Sequence, residues 1–311
     1  MRTVDYPYFQ CKFFEFNTAQ SMVVPYFDKD VNLIIAFPTS TGKTAIAECV
    51  FGYHLASDNR SKVVYISPYK GITAERQRDW MEERQFSQYG IVVCTGDYHP
   101  SEKEYEDARI VLMTNEAFDN QTRCSGKRSW LSRVACVVYD EAHMIGKEGR
   151  GASVEASMMR FSRITPTARF VLLSATMSNS IDLAKWVKSL NGKETKNIRS
   201  TWRPVRLKFR LHSYYDRGRW EEINSSRLRK AVGVIGRPTI GQKVLVFVQS
   251  KKFGRELAKA LRKNNVRCGF HNASVSAENR DQLEKLFDDP YSGVDVLIST
   301  STLSAGVNLG G

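Results

Sequence analysis

The sequence predicts an α/β protein with parallel sheets, and three observations lead to this fold class. Short, nearly continuous apolar runs alternate with longer helical patterns through the first part of the chain. A second, shorter series of the same kind follows a polar stretch. Strands that are apolar along their whole length and separated by helices form parallel sheets covered on both faces. With 311 residues the chain is long for a single hydrophobic core, so we expect two domains, residues 1–195 and 196–311.

The residues that follow each strand matter most, because open α/β folds bind ligands at the carboxyl ends of their strands. In the first domain we predict strands at 32–37, 62–67, 90–95, 110–114, 134–139 and 169–174. The helices between them are expected at 45–56, 71–88, 154–162 and 181–190. The polar, turn-rich segment 191–197 is typical of a linker. In the second domain we predict strands at 243–249, 267–270 and 294–299 and helices at 251–264 and 276–288.

The composition is that of a globular intracellular protein of the cytoplasm or nucleus. Hydrophobic residues make up 42% of the chain and charged residues 25%. No apolar run approaches the ~20 residues of a membrane span. The six cysteines form no CxxC pair and no metal-ligand spacing. We therefore expect no membrane partner, and reduced, buried thiols.

The net charge of +13 is concentrated in the second part of the chain. Residues 201–311 contain 20 Lys and Arg against 10 Asp and Glu, whereas residues 1–200 contain 26 against 23. A basic half indicates a polyanion partner, of which nucleic acid is the commonest. A solvated surface that merely favours Lys and Arg explains the charge equally well.

The segment after the first predicted strand has the composition of a phosphate-binding loop. It reads Pro38-Thr39-Ser40-Thr41-Gly42-Lys43-Thr44 and leads into a helical pattern. In such a loop the backbone N–H groups and the positive end of the helix face the phosphates of a nucleoside triphosphate. Lys43 can reach the β- and γ-phosphates, and the Thr44 hydroxyl can ligate Mg²⁺. Phe37 stands where the general pattern has its first glycine.

Two adjacent carboxylates, Asp140 and Glu141, follow the strand predicted at 134–139. At a strand end Asp140 can hold Mg²⁺ while Glu141 polarises a water molecule for attack on the γ-phosphate. A lone Asp-Glu pair is more often a solvated turn. The phosphate loop upstream and the apolar strand directly before the pair weaken that alternative.

Two small hydroxyls, Ser174 and Thr176, mark the end of the strand predicted at 169–174. By themselves they are helix N-caps for the next helix. In sequence with the phosphate loop and the acidic pair, they become candidates for coupling the nucleotide to a second site.

In this order and spacing, these motifs resemble those of superfamily-two DExH-box (DEAH) helicases. The segments that carry the resemblance are 38–44, 140–143, 173–179 and 299–309. Three further segments, 150–155, 201–204 and 270–273, are similar to the Ski-like group, which includes archaeal repair helicases and RNA-exosome helicases. The similarity extends from about residue 16 to the last residue.

The resemblance implies two RecA-like P-loop NTPase lobes, with ATP and Mg²⁺ in the cleft between them and a nucleic-acid strand across both. Gln20 resembles the glutamine that reads the adenine, and Gly306 lies in a match to the loop that senses both ATP and nucleic acid. His143 is similar to the residue that links the ATP site to the second lobe and to Ser174 and Thr176. The alternatives are an ordinary exposed polar residue for Gln20 and a capping or surface residue for His143.

By the same resemblance, residues at the ends of several strands would contact the nucleic-acid backbone. They are Pro68, Lys70, Gly71, Thr95, Gly96 and Thr114 in the first lobe and Gln249, Ser250, Thr300 and Thr302 in the second. Small hydroxyls, backbone N–H groups and a lysine at strand ends suit contact with phosphate. Each segment alone is an equally good turn. Contacts of this kind read sugar and phosphate, so we expect little sequence specificity.

The expected function is ATP hydrolysis coupled to movement along, or unwinding of, single-stranded or partly duplex DNA or RNA. The catalytic residues would be Lys43, Asp140, Glu141 and His143. The family's next motif, an arginine-containing helix, does not follow the segment 306–309, so we predict a second lobe that is incomplete at its carboxyl end. On this basis we expect a truncated chain that binds ATP and hydrolyses it poorly.

Two alternatives remain open from the sequence. The chain could be an ATP-binding clamp on nucleic acid, or an interaction module, with little turnover. It could also remodel protein–nucleic acid complexes without separating strands. The choice between DNA and RNA and the protein partners are open as well.

Overall fold

Two compact units make up the chain. The computed structural model describes residues 13–68, 70–82, 84–124, 129–147, 150–175, 177–239, 241–300 and 303. The first unit is Met1–Arg206 and the second unit is Leu207–Gly311.

The first unit is built on a seven-stranded sheet in which all strands are parallel. The strands are β1 (Asn32–Ala36), β2 (Lys62–Ser67), β3 (Ile91–Cys94), β4 (Ile110–Thr114), β5 (Val134–Tyr139), β6 (Arg169–Ser174) and β7 (Thr195–Arg199). Their order across the sheet is β3-β4-β2-β5-β6-β1-β7. Every residue of β1, β2, β4 and β6 is buried, which the continuous apolar runs predict for a sheet covered on both faces.

Helices pack on this sheet and enclose two apolar clusters. They are α1 (Thr18–Ser21), α2 (Lys43–Ser57), α3 (Lys70–Glu82), α4 (Arg84–Ser87), α5 (Glu102–Asp107), α6 (Asn115–Arg123), α7 (Arg150–Ile164) and α8 (Ser180–Asn191). One cluster includes Phe51, Tyr65 and Trp80, and the other includes Phe118 and Tyr139. No helix in the described part of the chain is long and apolar enough to cross a membrane.

A buried arginine joins the start of β6 to the segment that precedes β1. Arg169 is fully buried, and its guanidinium donates to the carbonyl oxygens of Tyr26 (2.6 Å), Phe27 (2.8 Å) and Val31 (2.5 Å). A buried charge is tolerated only when its donors are satisfied, and three backbone acceptors meet that condition here. Arg169 thereby helps to place the strand that leads into the phosphate loop.

The second unit contains a smaller parallel sheet with the strand order β8-β10-β9. Its strands are β8 (Val244–Phe247), β9 (Cys268–His271) and β10 (Val296–Ser299), and its helices are α9 (Trp220–Ile235), α10 (Lys251–Lys263) and α11 (Ala277–Asp288). The central strand β10 is buried along its whole length. The outer strand β8 alternates between half-buried and exposed residues, because successive side chains of a strand point to opposite faces of the sheet and only one face of β8 is partly covered.

The predicted linker at 191–197 is wrong. Residues Thr195–Arg199 form β7, which pairs in parallel with β1 at the edge of the first sheet. Polar residues of the segment 191–197 hydrogen-bond to β1. Asn32 Nδ2 donates to Thr195 Oγ1 at 3.1 Å and to Asn191 Oδ1 at 2.9 Å. An edge strand needs little apolar surface, so the apolar signal of a strand is weak there. The first compact unit continues past this strand to Arg206.

Candidate nucleotide site

The phosphate loop connects β1 to α2 and is closed by its own hydrogen bonds. Gly42 has φ +74° and caps the amino end of α2, a left-handed conformation that glycine adopts at little cost. Thr41 is fully buried, and its Oγ1 donates to the carbonyl oxygen of Pro38 at 2.9 Å. The loop therefore holds a compact shape at the positive end of a long helix, where backbone N–H groups face outward.

Lys43, the first residue of α2, folds back onto the loop. Its Nζ donates to the carbonyl oxygens of Phe37 at 3.2 Å and Pro38 at 3.0 Å. Burial lowers the pKa of Lys43, and the negative charges of Glu141 and Asp140 act in the opposite direction. The ammonium group thus lies within electrostatic reach of both acidic residues.

Gln20 supports the loop from the side. Its Nε2 donates to the carbonyl oxygen of Gly42 at 3.2 Å, and its Oε1 accepts the Asn17 N–H at 3.0 Å. Asn17 Nδ2 also donates to the carbonyl oxygen of Thr41 at 3.1 Å. With 3% of its surface exposed, Gln20 is not the exposed polar residue of the alternative interpretation. The short helix α1 is therefore fastened to the phosphate loop by two side chains.

The acidic pair directly follows β5. Asp140 Oδ2 accepts the Tyr65 hydroxyl at 2.5 Å, and Oδ1 accepts the Glu141 N–H at 2.9 Å. Burial raises the pKa of Asp140, and the hydrogen bond from Tyr65 opposes this shift. Glu141 has φ +53°, an uncommon conformation for a residue with a side chain. Such backbone strain concentrates at functional sites.

His143 lies beside Glu141. Its Nδ1 is 3.1 Å from Glu141 Oε2, close enough for an ion pair, but the two atoms are not aligned as a hydrogen bond. Interaction with His143 lowers the pKa of Glu141, although burial acts against this effect. Glu141 is therefore held in its ionised form at neutral pH.

Ser174 is the last residue of β6, the strand between β1, which leads into the phosphate loop, and β5, which leads into the acidic pair. Its carbonyl oxygen accepts the Phe37 N–H at 3.1 Å, and in the β1–β6 pairing it lies opposite Ala36. Its Oγ is buried and has no hydrogen-bond partner among the described residues. Ser174 does not cap the next helix, since α8 begins at Ser180 with Asn179 as its N-cap. The second predicted coupling residue, Thr176, lies outside the described residues.

The strand order explains why these residues meet. The loop follows β1, the hydroxyl ends β6 and the acidic pair follows β5, and these three strands are neighbours in the order β5-β6-β1. Because all three are parallel, their carboxyl ends lie at one edge of the sheet. Residues that are far apart in the sequence are thereby collected at one site.

The nucleic-acid candidates of the first unit lie at the same edge but at the other half of the sheet. They follow β2, β4 and β3, which are also neighbours. Pro68 is buried directly after β2, and Lys70 and Gly71 begin α3. Thr95 and Gly96 follow β3.

Thr114, the last of these candidates, has a structural task of its own. It ends β4 with 3% of its surface exposed. Its Oγ1 accepts the Ala117 N–H at 3.3 Å as the N-cap of α6. The hydroxyl is thus engaged in holding a helix end.

In the second unit, the described candidates follow β8 and β10, which are adjacent strands. Gln249 is exposed, and Ser250 is the N-cap of α10, where its Oγ accepts the Phe253 N–H at 3.2 Å. Thr300 follows β10, and its N–H donates to the carbonyl oxygen of His271 at 3.2 Å. Thr302 and Gly306 lie outside the described residues.

Two further residues of the site were not singled out from the sequence. Tyr65 lies within a buried strand, where its apolar neighbours indicate only a core position. Arg203 follows β7, and its Nη1 lies 3.5 Å from Thr39 Oγ1 of the phosphate loop. The segment 201–204 contributed to the family resemblance, but nothing in its residue pattern indicates a contact with the loop.

The oxygen donors predicted to hold Mg²⁺ suit that ion. Asp140 offers a carboxylate and Thr44, the second residue of α2, offers a hydroxyl. Mg²⁺ in nucleotide sites usually combines one or two protein oxygens with phosphate and water. No group of three or more His, Cys, Asp or Glu within the described ranges is arranged to hold a metal ion alone. These residues therefore fit a cation that enters together with a phosphate.

Sequence similarity assigns the chain to a known protein family. Residues 17–184 match the DEAD/DEAH box helicase family. The chain belongs to this family. Residues 226–311 match the helicase conserved C-terminal domain. Together with the relatives described next, these matches place the chain in the Ski-like group of superfamily-two helicases, as the motifs predict.

The similar curated proteins are longer than this chain. The ATP-dependent DNA helicase homolog MER3 of Arabidopsis thaliana is 32% identical over 300 residues, covering 87% of this chain and 26% of the relative. The ATP-dependent DNA helicase Hel308 of Pyrococcus horikoshii is 28% identical over 313 residues, covering 90% of this chain and 42% of the relative. The chain thus spans less than half the length of either relative.

Solved helicase structures share the fold. The helicase MrfA bound to DNA and AMPPNP superposes with a TM-score of 0.72 at 18% identity, covering 96% of this chain and 43% of that one. Dbp5 of S. cerevisiae bound to RNA and ADP BeF3 gives a TM-score of 0.64 at 19% identity, covering 95% and 73%. These likenesses confirm the predicted α/β, RecA-like fold.

Proposed function

We propose that this chain is the ATP-dependent motor of a nucleic-acid helicase or translocase, which couples ATP hydrolysis to movement along DNA or RNA or to its unwinding. One observation carries the proposal: the phosphate loop, the buried Ser174 hydroxyl and the acidic pair follow three adjacent parallel strands. This arrangement unites a triphosphate cradle, a cation ligand and a base, which phosphoryl transfer to water requires.

ATP would bind with its phosphates at the amino end of α2. The backbone N–H groups and Lys43 are the donors for the phosphate oxygens. Lys43 Nζ is now within 3.2 Å of two loop carbonyl oxygens, so a short side-chain movement would bring it to the β- and γ-phosphates. Gln20, packed under Gly42, would hold the loop in this shape and offer its second amide proton to the adenine.

Asp140 and Thr44 would hold Mg²⁺. When bound, the cation neutralises charge on the β- and γ-phosphates as it builds up during transfer. The Asp140 carboxylate would keep the orientation given by its two hydrogen bonds. Its metal-free pKa, raised by burial, favours binding of a positive charge beside it.

Glu141 would orient the attacking water and accept its proton as the bond between the γ-phosphorus and the bridging oxygen breaks. The lowered pKa of Glu141 keeps the carboxylate ionised, so its oxygens can accept hydrogen bonds from the water and orient it. His143, whose Nδ1 lies 3.1 Å from Glu141 Oε2, would respond to a change in the charge of Glu141 and so couple the nucleotide site to other parts of the protein. Ser174, whose buried hydroxyl has no hydrogen-bond partner in the part of the chain that the structure describes, would complete this coupling.

Nucleic acid would bind through its backbone. The candidates after β2, β3 and β4 lie at one edge of the sheet, beside but separate from the nucleotide residues. Residues 201–311, with 20 Lys and Arg against 10 Asp and Glu, would supply long-range attraction for the phosphates. Single-stranded or partly duplex nucleic acid within the cell is the corresponding partner.

The test is ATP turnover with a panel of single- and double-stranded DNA and RNA. The proposal predicts that nucleic acid stimulates turnover and that Glu141→Gln reduces it by about 100-fold or more while ATP binding is retained. Poor turnover under every condition would instead support the truncated chain expected from the sequence. Glu194→Gln is the matched control, since Glu194 directly precedes β7 at the opposite end of the strands. Turnover that survives Glu141→Gln would contradict the proposal. The nucleic acid that stimulates most identifies the substrate class.

A further inference from the structure

Tyr65 reaches the acidic pair from the middle of the sheet. Its hydroxyl donates to Asp140 Oδ2 at 2.5 Å, and 1% of its surface is exposed. In the pairing of β2 with β5 it lies opposite Val138, and the neighbouring Ile66 carbonyl oxygen accepts the Asp140 N–H at 2.8 Å. Both main chain and side chain of Asp140 are therefore held by β2. The contact is set by the pairing of two strands, β2 and β5, and not by the conformation of a loop.

Two donors hold the Asp140 carboxylate, one at each oxygen. The Tyr65 hydroxyl donates to Oδ2. Since the Glu141 N–H donates to Oδ1 at 2.9 Å, each oxygen of the Asp140 carboxylate has one donor. A carboxylate held at both oxygens cannot rotate freely, and its remaining lone pairs keep fixed directions.

The Tyr65 ring is in turn packed against the helix of the phosphate loop. It makes edge-to-face contacts with Trp80 (5.4 Å between ring centres, 88°) and Phe51 (6.3 Å, 71°). Trp80 Nε1 donates to Glu48 Oε1 at 2.8 Å. Glu48 and Phe51 belong to α2, which begins at Lys43. One buried aromatic group thus connects the phosphate-loop helix to the carboxylate of the acidic pair.

We propose that Tyr65 is a positioning residue for the cation of the ATP site, and that its hydroxyl sets the orientation in which Asp140 ligates Mg²⁺. The inference rests on the proposed function, which makes Asp140 the ligand. Groups that hydrogen-bond to a metal ligand typically change metal affinity or activity by about 10–100-fold when they are removed. Tyr65 acts through Asp140 and is not itself a catalytic residue.

Tyr65→Phe removes the hydroxyl and keeps the ring. The readout is the Mg²⁺ concentration that gives half-maximal binding of a fluorescent, non-hydrolysable ATP analogue, with a parallel titration in EDTA. We expect Tyr65→Phe to raise this concentration about tenfold, and to leave binding in EDTA unchanged.

The matched control is Tyr139→Phe. Tyr139 directly precedes Asp140 and is equally buried, but it packs in the other apolar cluster, and its hydroxyl lies 3.5 Å from Ser157 Oγ. The Mg²⁺ requirement of this variant should equal that of the parent chain. Melting temperatures of both variants would show whether the titrations compare folded proteins.

Asp140→Asn separates this inference from the proposed function. If Asp140→Asn raises the Mg²⁺ requirement and Tyr65→Phe does not, the positioning role of Tyr65 is wrong while Asp140 remains the ligand. Equal shifts in Tyr65→Phe and Tyr139→Phe would also overturn the role, because they would reflect general packing. If Asp140→Asn leaves the requirement unchanged, the assignment of Asp140 falls and the inference falls with it.

Discussion

Individual buried residues set the chemistry of this chain. Burial lowers the pKa of Lys43 and raises that of Asp140, whereas interaction with His143 lowers that of Glu141. Asp140 and Glu141 are adjacent in the sequence, yet their pKa values move in opposite directions. Two neighbouring carboxylates thus lie in different environments, one dominated by burial and the other by interaction with His143.

Burial of His54 on α2 makes the stability of the folded chain depend on pH. Its Nε2 is buried without a hydrogen-bond partner among the described residues, and burial lowers its pKa from 6.5 to about 4, with the charge of Arg169 as a further cause. The unfolded chain therefore binds a proton near pH 6.5, and the folded chain binds it only near pH 4. This contribution to stability is fully present above pH 6.5 and is lost as the pH falls towards 4.

We expect this group alone to lower the free energy of unfolding by about 2 kcal/mol between pH 7 and pH 5. Urea unfolding at the two pH values measures the difference. In His54→Phe, which keeps a ring and removes the titration, the difference should shrink by that amount. An equal pH dependence in parent and variant would show that His54 is protonated in the folded protein.

At the scale of elements, the turn between β1 and α2 depends on one glycine. Gly42 has φ +74°, and a Cβ built there would lie 2.4 Å from Gln20 Nε2. Left-handed backbone costs a residue with a side chain about 1–2 kcal/mol, and Gln20 would also have to leave the loop. We expect Gly42→Ala to weaken ATP binding by roughly tenfold or more, which isothermal titration can measure.

Gly192 is the control for backbone strain. It has the same φ, +74°, at the carboxyl end of α8, but a Cβ there would meet nothing within 4 Å. Gly192→Ala should lose a similar amount of stability and keep its ATP affinity. If both variants bind ATP like the parent chain, the contact between Gln20 and the loop has no part in nucleotide binding.

At the scale of the whole molecule, strand order separates two sets of candidate residues. The candidates for the nucleotide site follow β5, β6 and β1, and the nucleic-acid candidates of the first unit follow β3, β4 and β2. Both sets lie at the carboxyl edge of one sheet, and β2 and β5, the two strands at the boundary between the halves, are adjacent. The excess of positive charge lies mostly in residues 201–311.

This charge distribution predicts binding that depends strongly on salt. We expect the affinity for a single-stranded oligonucleotide to fall by about tenfold or more between 50 mM and 200 mM salt, because bound phosphates release counterions. Fluorescence anisotropy over a salt series gives the slope. Binding that changes little over this range would indicate recognition through bases or apolar contacts instead of the backbone.

Much of the fold and of the site could be predicted from local patterns. Continuous apolar runs predicted β1, β2, β4, β5 and β6, because a strand buried on both faces needs apolar residues at every position. The loop at 38–44 and the pair Asp140–Glu141 were recognisable since each lies on consecutive residues. Edge strand β7 was missed because its sequence is mostly polar. In the folded chain, side-chain hydrogen bonds such as the one between Asn32 and Thr195 satisfy these polar residues.

Residues 38–44, Asp140 and Glu141 were identified from the sequence, as were the fold class and the family. Which other side chains lie beside them depends on the folded chain. The hydroxyl of Tyr65 meets Asp140 across 75 positions of sequence, and Gln20 meets Gly42 across 22. The register of parallel strands sets such contacts, and a continuous apolar run shows that a strand is buried but not which strand lies beside it.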